Sequence, residues 1–68
     1  MNIFSQRLRE LRLEKGLRQI DVAKGINVTI NAICNYEAGT REPSLDMLIM
    51  ICRFLETDPN YILGFSDY

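Results

Sequence analysis

The chain has 68 residues, enough for one domain over residues 1–68, and a domain of that size buries only about 60% of the surface that its unfolded chain exposes. Eight basic and nine acidic residues give a net charge of −1, and two cysteines without any histidine exclude the familiar zinc sites, so no metal or cofactor is expected. No apolar run approaches the ~18 residues of a membrane span, and the N-terminal residues carry charge where a signal peptide would have its apolar stretch. We therefore expect a cytoplasmic protein that is not exported, with reduced thiols and no membrane partner.

The first predicted helix runs over about residues 3–15. Apolar residues recur there at helical spacing, as they do along most of the chain, whereas no segment alternates with a period of two for long. One face of this helix carries Phe4, Leu8 and Leu11. Gly16 follows at the position where a residue of positive φ commonly ends a helix.

Two short helices joined by a tight turn follow. The first is predicted over about residues 19–25, and the second begins after Thr29, whose hydroxyl is expected to cap it, and ends near Glu37. Asn27 stands in the turn, where asparagine tolerates the left-handed conformation, and Gly39 closes the second helix. The residues predicted to point inward are Val22, Ala23, Ile33 and Tyr36. Such a pair is a helix-turn-helix in general terms.

The last two predicted helices follow a loop at residues 40–43. Ser44 is expected to cap the longer of them, and Asp58 followed by Pro59 predicts the start of a short final helix, which Gly64 ends. The inward residues predicted for the longer helix are Leu45, Leu48, Ile51, Cys52 and Leu55. The sequence therefore predicts an all-α fold of five helices.

Four segments of the sequence resemble, in order and without gaps, the phage-repressor (Cro/C1, or XRE) family of helix-turn-helix proteins. They are RLRELRLEKGLRQIDVA at residues 7–23, YEAG at 36–39, REPSL at 41–45 and YILG at 61–64. The resemblance covers about residues 4–64 and implies a compact, lambda-repressor-like bundle in which the third helix enters the major groove of double-stranded DNA. It also implies a sequence-specific transcription regulator, with a repressor favoured, that reads a palindromic operator as a homodimer.

The resemblance places base contacts on the exposed start of the third helix and one turn later. The residues concerned are Ile30, Asn31 and Asn35. Either asparagine could pair with adenine N6 and N7, whereas Ile30 would touch a thymine methyl group. The residues alone also allow a solvated polar face for the two asparagines and a contact with a protein partner for Ile30.

Phosphate contacts are implied at the start of the second helix and around the third. The residues are Arg18, Gln19, Thr29 and Arg41. Gln19 stands where unpaired amides attract phosphate, and Thr29 has capping as its first role. Arg18 replaces the usual capping Ser or Thr, so we expect a weaker cap but more positive charge near DNA. A helix-start residue without a partner and a solvated loop charge remain the alternatives for Gln19 and Arg41.

Two residues are implied to be structural rather than DNA-binding. Arg12 and Glu37 correspond to a family ion pair that bridges the first and third helices and holds the recognition helix at a fixed angle. If the pair is buried, removing one partner costs about 3–5 kcal/mol, and if it is exposed the cost is much smaller.

A surface for a second copy of the chain is predicted from apolar residues on the outside of the bundle. Leu13 and Ile20 are expected to be exposed singly, which is normal for a protein surface. Met47, Met50 and Phe54 are expected to lie together on the outside of the fourth helix, beside the last helix, and to form a homodimer contact.

The charge distribution keeps a second interpretation open. Residues 1–45 carry seven basic and five acidic residues, a net of +2, whereas residues 46–68 carry one and four, a net of −3. Positive charge thus accompanies the predicted DNA face, but the acidic balance and the apolar surplus also fit a protein-binding module (an antirepressor, antitoxin or adaptor) that kept the fold. An enzyme is disfavoured, because no Gly-rich phosphate loop and no nucleophile beside a base is present, and no small-molecule ligand is indicated. The chain fits either a complete minimal protein or a fragment of a larger regulator.

Overall fold

Five helices form the part of the chain that the computed structural model describes, residues 2–67. They are α1 (Ile3–Glu14), α2 (Gln19–Gly25), α3 (Ile30–Ala38), α4 (Leu45–Leu55) and α5 (Pro59–Ile62). No strand occurs among these residues, and none of their helices is long and apolar enough to cross a membrane. The all-α prediction is confirmed, and the bounds of α1, α2 and α3 agree with the predicted ones to within one residue.

The helix ends follow the predicted capping residues. Thr29, Ser44 and Asp58 each accept a hydrogen bond from a backbone N–H in the first turn of α3, α4 and α5, respectively. Asn27, with φ of 59°, adopts the left-handed conformation between α2 and α3, and Gly39, with φ of 79°, ends α3 in the same conformation. The turn of the helix-turn-helix is therefore set by local sequence.

One apolar core receives side chains from all five helices. Its buried members are Phe4, Leu8, Val22, Ala23, Ile26, Ala32, Ile33, Tyr36, Ile51, Cys52, Leu55 and Ile62. α3 packs against both α1 and α2, while α5 packs against α1 and α4. Burial, together with the negative charge of Asp58, raises the pKa of the Cys52 thiol, so this thiol stays protonated inside the core. The packing leaves one long side of α3 facing outward.

Two predictions about apolar side chains are wrong. Leu45 was expected inside but is 79% exposed. It is the first residue of α4, and Cα–Cβ bonds in a helix tilt towards the N-terminus, so its side chain projects past the end of the helix. Ile20 was expected outside but packs against the core, because it lies three residues before Ala23 and shares its face of α2.

The C-terminal residues are attached to α1 by one arginine. The Arg7 guanidinium donates hydrogen bonds to the backbone carbonyls of Tyr61 and Ser66, the second at 2.6 Å. The same group lies over the Tyr61 ring, 4.3 Å from its centroid, in cation–π geometry. One side chain of α1 thus connects the N-terminal helix to the C-terminal residues.

Candidate nucleic-acid interface

The outward side of α3 carries two asparagines, with an apolar residue exposed at each end of the helix. Along the helix, residues 32, 33, 36 and 37 are buried. The exposed positions are Ile30, Asn31, Asn35 and Ala38, and Cys34 among them is half-buried. Because residues four apart project from the same side of a helix, Asn31 and Asn35 lie one turn apart on one face. The three residues predicted to contact bases are therefore brought together.

The start of α3 is held in place by its cap. The Thr29 hydroxyl accepts a hydrogen bond from the backbone N–H of Ala32 at 3.3 Å, which satisfies one of the amides that a helix leaves unpaired. Ile30 follows at the first helical position and is 43% exposed. Thr29 is exposed as well, so the cap and the first residues of α3 present one accessible edge.

Asn35 touches the loop that follows α3. The Thr40 hydroxyl donates to both the Asn35 backbone carbonyl and the side-chain Oδ1, each at 3.4 Å. Both contacts are long and exposed, so they restrain the side chain only weakly. Arg41 is the next residue; it is exposed and makes no hydrogen bond or ion pair within residues 2–67. The loop therefore carries a positive charge beside the end of α3.

The start of α2 carries an exposed arginine that is paired with a carboxylate. Arg18 is exposed and forms an ion pair with Asp21, with Nη2 and Oδ1 3.1 Å apart. Asp21 also accepts a hydrogen bond at 2.8 Å from the Arg18 backbone N–H. Arg18 offers no hydroxyl to cap α2, and the carboxylate of Asp21, the third residue of the helix, binds the backbone N–H at this end instead. The side-chain and backbone hydrogen bonds from Arg18 hold the pKa of the Asp21 carboxyl below its ordinary value.

A buried polar network lies behind the start of α2 and connects it to α1 and α3. Arg12 Nε and Glu37 Oε2 are 2.7 Å apart, and Arg12 Nη2 reaches Glu37 Oε1 at 3.1 Å, which makes the pair bidentate. The exposed fractions of the two side chains are only 10% and 5%. Arg12 also donates to the Leu17 carbonyl in the loop before α2. The predicted ion pair is therefore present in its buried form.

Gln19 belongs to the same network. Its Nε2 donates to Glu37 Oε1 at 3.2 Å, and its Oε1 accepts from the Cys34 thiol at 3.1 Å. Gln19 is half-buried as a result. The family resemblance placed Gln19 near DNA, but no local signal pairs it with Cys34, because 15 residues separate the two.

The predicted homodimer contact on α4 is only partly exposed. Met47, Met50 and Phe54 share one flank of the helix, but Met47 and Phe54 pack against the core and only Met50 is exposed. Gly25 at the end of α2 leaves room for the Phe54 ring, which a Cβ there would meet at 2.2 Å. Met47 and Phe54 thus contribute to the packing of α4 against the core, and a role for them in a dimer stays a prediction.

More apolar surface lies on the opposite flank of α4. Leu45 and Ile49, one turn apart, are both exposed. Leu45 also lines an open groove of about 420 Å³ with Ile3 of α1 and Leu63 after α5. Phe65, which is 83% exposed, follows in the chain. Sequence reasoning missed this groove, because its walls come from three distant parts of the chain.

Comparisons with known proteins agree with this geometry. A family model described as helix-turn-helix matches residues 8–62. The HTH-type transcriptional regulator YobD of Bacillus subtilis is 34% identical over 65 residues, which is 96% of this chain and 58% of the relative. The phage CTXphi transcriptional repressor RstR of Vibrio cholerae is 40% identical over 52 residues, 76% of this chain and 47% of the relative. The chain thus spans about half the length of these relatives.

The fold is also similar to that of a solved repressor. A crystal structure of the P22 c2 repressor in complex with a synthetic operator superposes with a TM-score of 0.89 and 26% sequence identity. The match covers 97% of this chain and 100% of that one. A likeness of this extent includes all five helices in order.

Proposed function

We infer the function of this chain from its family: it belongs to the helix-turn-helix proteins of the phage-repressor (Cro/C1, XRE) type. We propose that it binds double-stranded DNA in a sequence-specific way, regulates transcription and acts as a repressor. The observation that carries the proposal is the outward side of α3, where Asn31 and Asn35 lie one turn apart on a helix with a buried rear face. A major groove admits such a helix and presents a distinct donor, acceptor and methyl pattern for each base pair.

In the proposed mechanism, α3 lies in the major groove with its N-terminal residues against the base edges. Asn31 and Asn35 each offer an amide that can pair with adenine N6 and N7, and Ile30 offers an apolar surface to a thymine methyl group. Thr29, Arg18, Gln19 and Arg41 contact phosphates on either side of the groove. The proposed action is binding without catalysis, in the cytoplasm, and repression follows when the bound protein excludes polymerase from its promoter.

Two copies are needed for tight binding by a chain of net charge −1. One module neutralises few phosphates, and its affinity falls with salt concentration because the gain comes from displaced counterions. Two copies related by a two-fold axis place their α3 helices about 34 Å apart, one turn of DNA, and read a palindrome. We place the contact between copies on the flank of α4 that carries Leu45 and Ile49, since it exposes more apolar surface than the flank of Met50.

The function is tested by selection from a random duplex DNA pool at low and at moderate salt. Enrichment of a palindrome with half-sites about one turn apart is expected. Asn31→Ala should then weaken the free energy of DNA binding by about 1–3 kcal/mol and relax the base preference at one position of each half-site. Arg41→Ala is the matched control, because loss of a phosphate contact weakens binding to all sequences alike and lowers the salt slope by about one. A folded protein that enriches no sequence would contradict the proposal and favour a protein-binding module.

The dimer is tested by sedimentation equilibrium. Leu45→Glu should separate the copies, because a charge cannot be buried in an apolar contact without a partner. Met50→Glu tests the other flank of α4, and Leu13→Glu, on an exposed part of α1, is the control that should leave the association unchanged. Dissociation by Met50→Glu alone would place the contact on the flank of Met47, Met50 and Phe54 instead.

A further inference from the structure

The side-chain amide of Gln19 is held from both ends by the recognition helix. Glu37 and Cys34, three residues apart on α3, contact the Gln19 nitrogen and oxygen, respectively. Glu37 is in turn fixed by the bidentate bond from Arg12. The network thus runs from α1 through α3 to the first residue of α2 and back to α3.

The donors and acceptors of the network allow only one orientation of this amide. A carboxylate accepts hydrogen bonds and donates none, so the Gln19 NH₂ group must face Glu37 and the carbonyl oxygen must face the other way. The Cys34 S–H supplies the donor that this oxygen meets, at 3.1 Å. One N–H of Gln19 is then used by Glu37, and the second points away from that carboxylate.

We propose that Cys34 is a positioning residue for DNA binding: its thiol fixes the Gln19 amide so that the remaining N–H is directed at a phosphate or a neighbouring base. This proposal rests on the proposed function, since it concerns how Gln19 reaches DNA. A flexible glutamine loses rotamer freedom when it binds, and a side chain already held in place loses less. Cys34 therefore acts on affinity through Gln19 and needs no contact of its own with DNA.

The place of Cys34 fits this role better than simple packing. The residue is half-buried and lines a surface cavity of about 320 Å³ together with Gln19, Glu37 and Arg12. It lies on the same outward side of α3 as Asn31, between the base-contacting positions and the start of α2.

The test is a double-mutant cycle on the operator that the wild-type protein selects. Cys34→Ala removes the donor and should weaken binding about two- to fivefold, the size expected for one weak hydrogen bond. Cys34→Ser keeps a donor at the same place and should remain within about twofold of wild type. In a Gln19→Ala background, Cys34→Ala should have no further effect, because its partner is gone.

Three results would overturn the proposal. They are wild-type affinity for Cys34→Ala, an equal loss in the Gln19→Ala background, which would indicate direct contact between Cys34 and DNA, and a failure of Cys34→Ser to restore binding. The slope of affinity against salt should stay unchanged in Cys34→Ala, because a neutral amide displaces no counterion, whereas Arg41→Ala lowers it.

A measurement on the free protein separates this proposal from the proposed function. The side-chain amide of Gln19 should show an order parameter typical of a rigid group in the wild type and in Cys34→Ser, and a lower one in Cys34→Ala. If no DNA sequence is bound, the proposed function fails, and this readout still decides whether Cys34 orients Gln19. Equal mobility of the amide in all three proteins would refute the orientation itself.

Discussion

The two ends of the molecule have opposite surfaces. Around α2 and α3 the exposed side chains are mostly polar or basic, and the polar groups behind them form one buried network. Around α4 and α5 the charge is acidic, and this region holds five of the eight large exposed apolar side chains found among residues 2–67. Polar, positively charged surface suits phosphates and base edges, whereas clustered apolar surface suits a protein. The division is what the proposed function requires, with DNA bound at one end and a second copy at the other.

The two ends are also held together by different interactions. The recognition helix is fixed to α1 by a buried ion pair with several hydrogen bonds, and the C-terminal residues are fixed to α1 by Arg7, which is half-buried. A buried pair is costly to break, because its remaining member is left charged and unpaired in the interior. When a half-buried hydrogen bond such as those of Arg7 is broken, water can take the place of the lost partner. Substitutions at the two sites should therefore differ in how much stability they remove and in how much of the molecule they affect.

The largest effect is expected for Glu37→Ala, which leaves the Arg12 guanidinium buried without its partner. The expected loss is about 3–5 kcal/mol of unfolding free energy, measured by urea denaturation, and in a domain of 68 residues this is a large part of the total. Glu10→Ala, on the exposed side of α1, is the control and should change stability by less than about 0.5 kcal/mol. Replacing both Arg12 and Glu37 with apolar residues should cost less than Glu37→Ala alone. A loss below about 1 kcal/mol for Glu37→Ala would show that water reaches the pair.

A smaller and more local effect is expected for Arg7→Ala. The substitution removes two hydrogen bonds to backbone carbonyls and the stacking on Tyr61 together. We therefore expect the free energy of unfolding to fall by about 2 kcal/mol. Hydrogen exchange should speed up first at the backbone amides of Ile62 and Leu63, whose acceptors are the carbonyls of the capping residue and of the first residue of α5. Arg9→Ala, two residues further along α1, should leave exchange in α5 unchanged. Uniformly faster exchange through α3 as well would mean that the two ends do not unfold separately.

The helices and their caps could be predicted from the sequence, because both depend on residues a few positions apart. Helical spacing of apolar residues gave five helices, and single capping residues such as Thr29 and Ser44 marked where two of them begin. The residues predicted to contact bases were assigned by the family resemblance, and helical spacing accounts for Asn31 and Asn35 sharing one face. The prediction that Leu45 is buried was wrong, because the helical spacing of apolar residues does not show where the core ends. The contacts of Cys34 with Gln19 and of Arg7 with the C-terminal residues join distant positions, and no local pattern encodes them.

The smallest expected effect concerns the exposed ion pair at the start of α2, and it depends on pH. Hydrogen bonds from Arg18 lower the pKa of Asp21 in the folded protein, so the folded state binds a proton there less readily than the unfolded chain. The contribution of Asp21 is therefore present above its ordinary pKa of about 3.9 and is lost as the pH falls through the lower folded value. The difference in Tm between wild type and Asp21→Asn should be largest near pH 7 and should shrink in acid. In an Arg18→Ala background the same difference should be smaller and should depend less on pH, because only the backbone bond to Asp21 remains. An Asp21→Asn difference that stayed constant from pH 7 to about pH 2 would show that the carboxyl stabilises α2 without its charge.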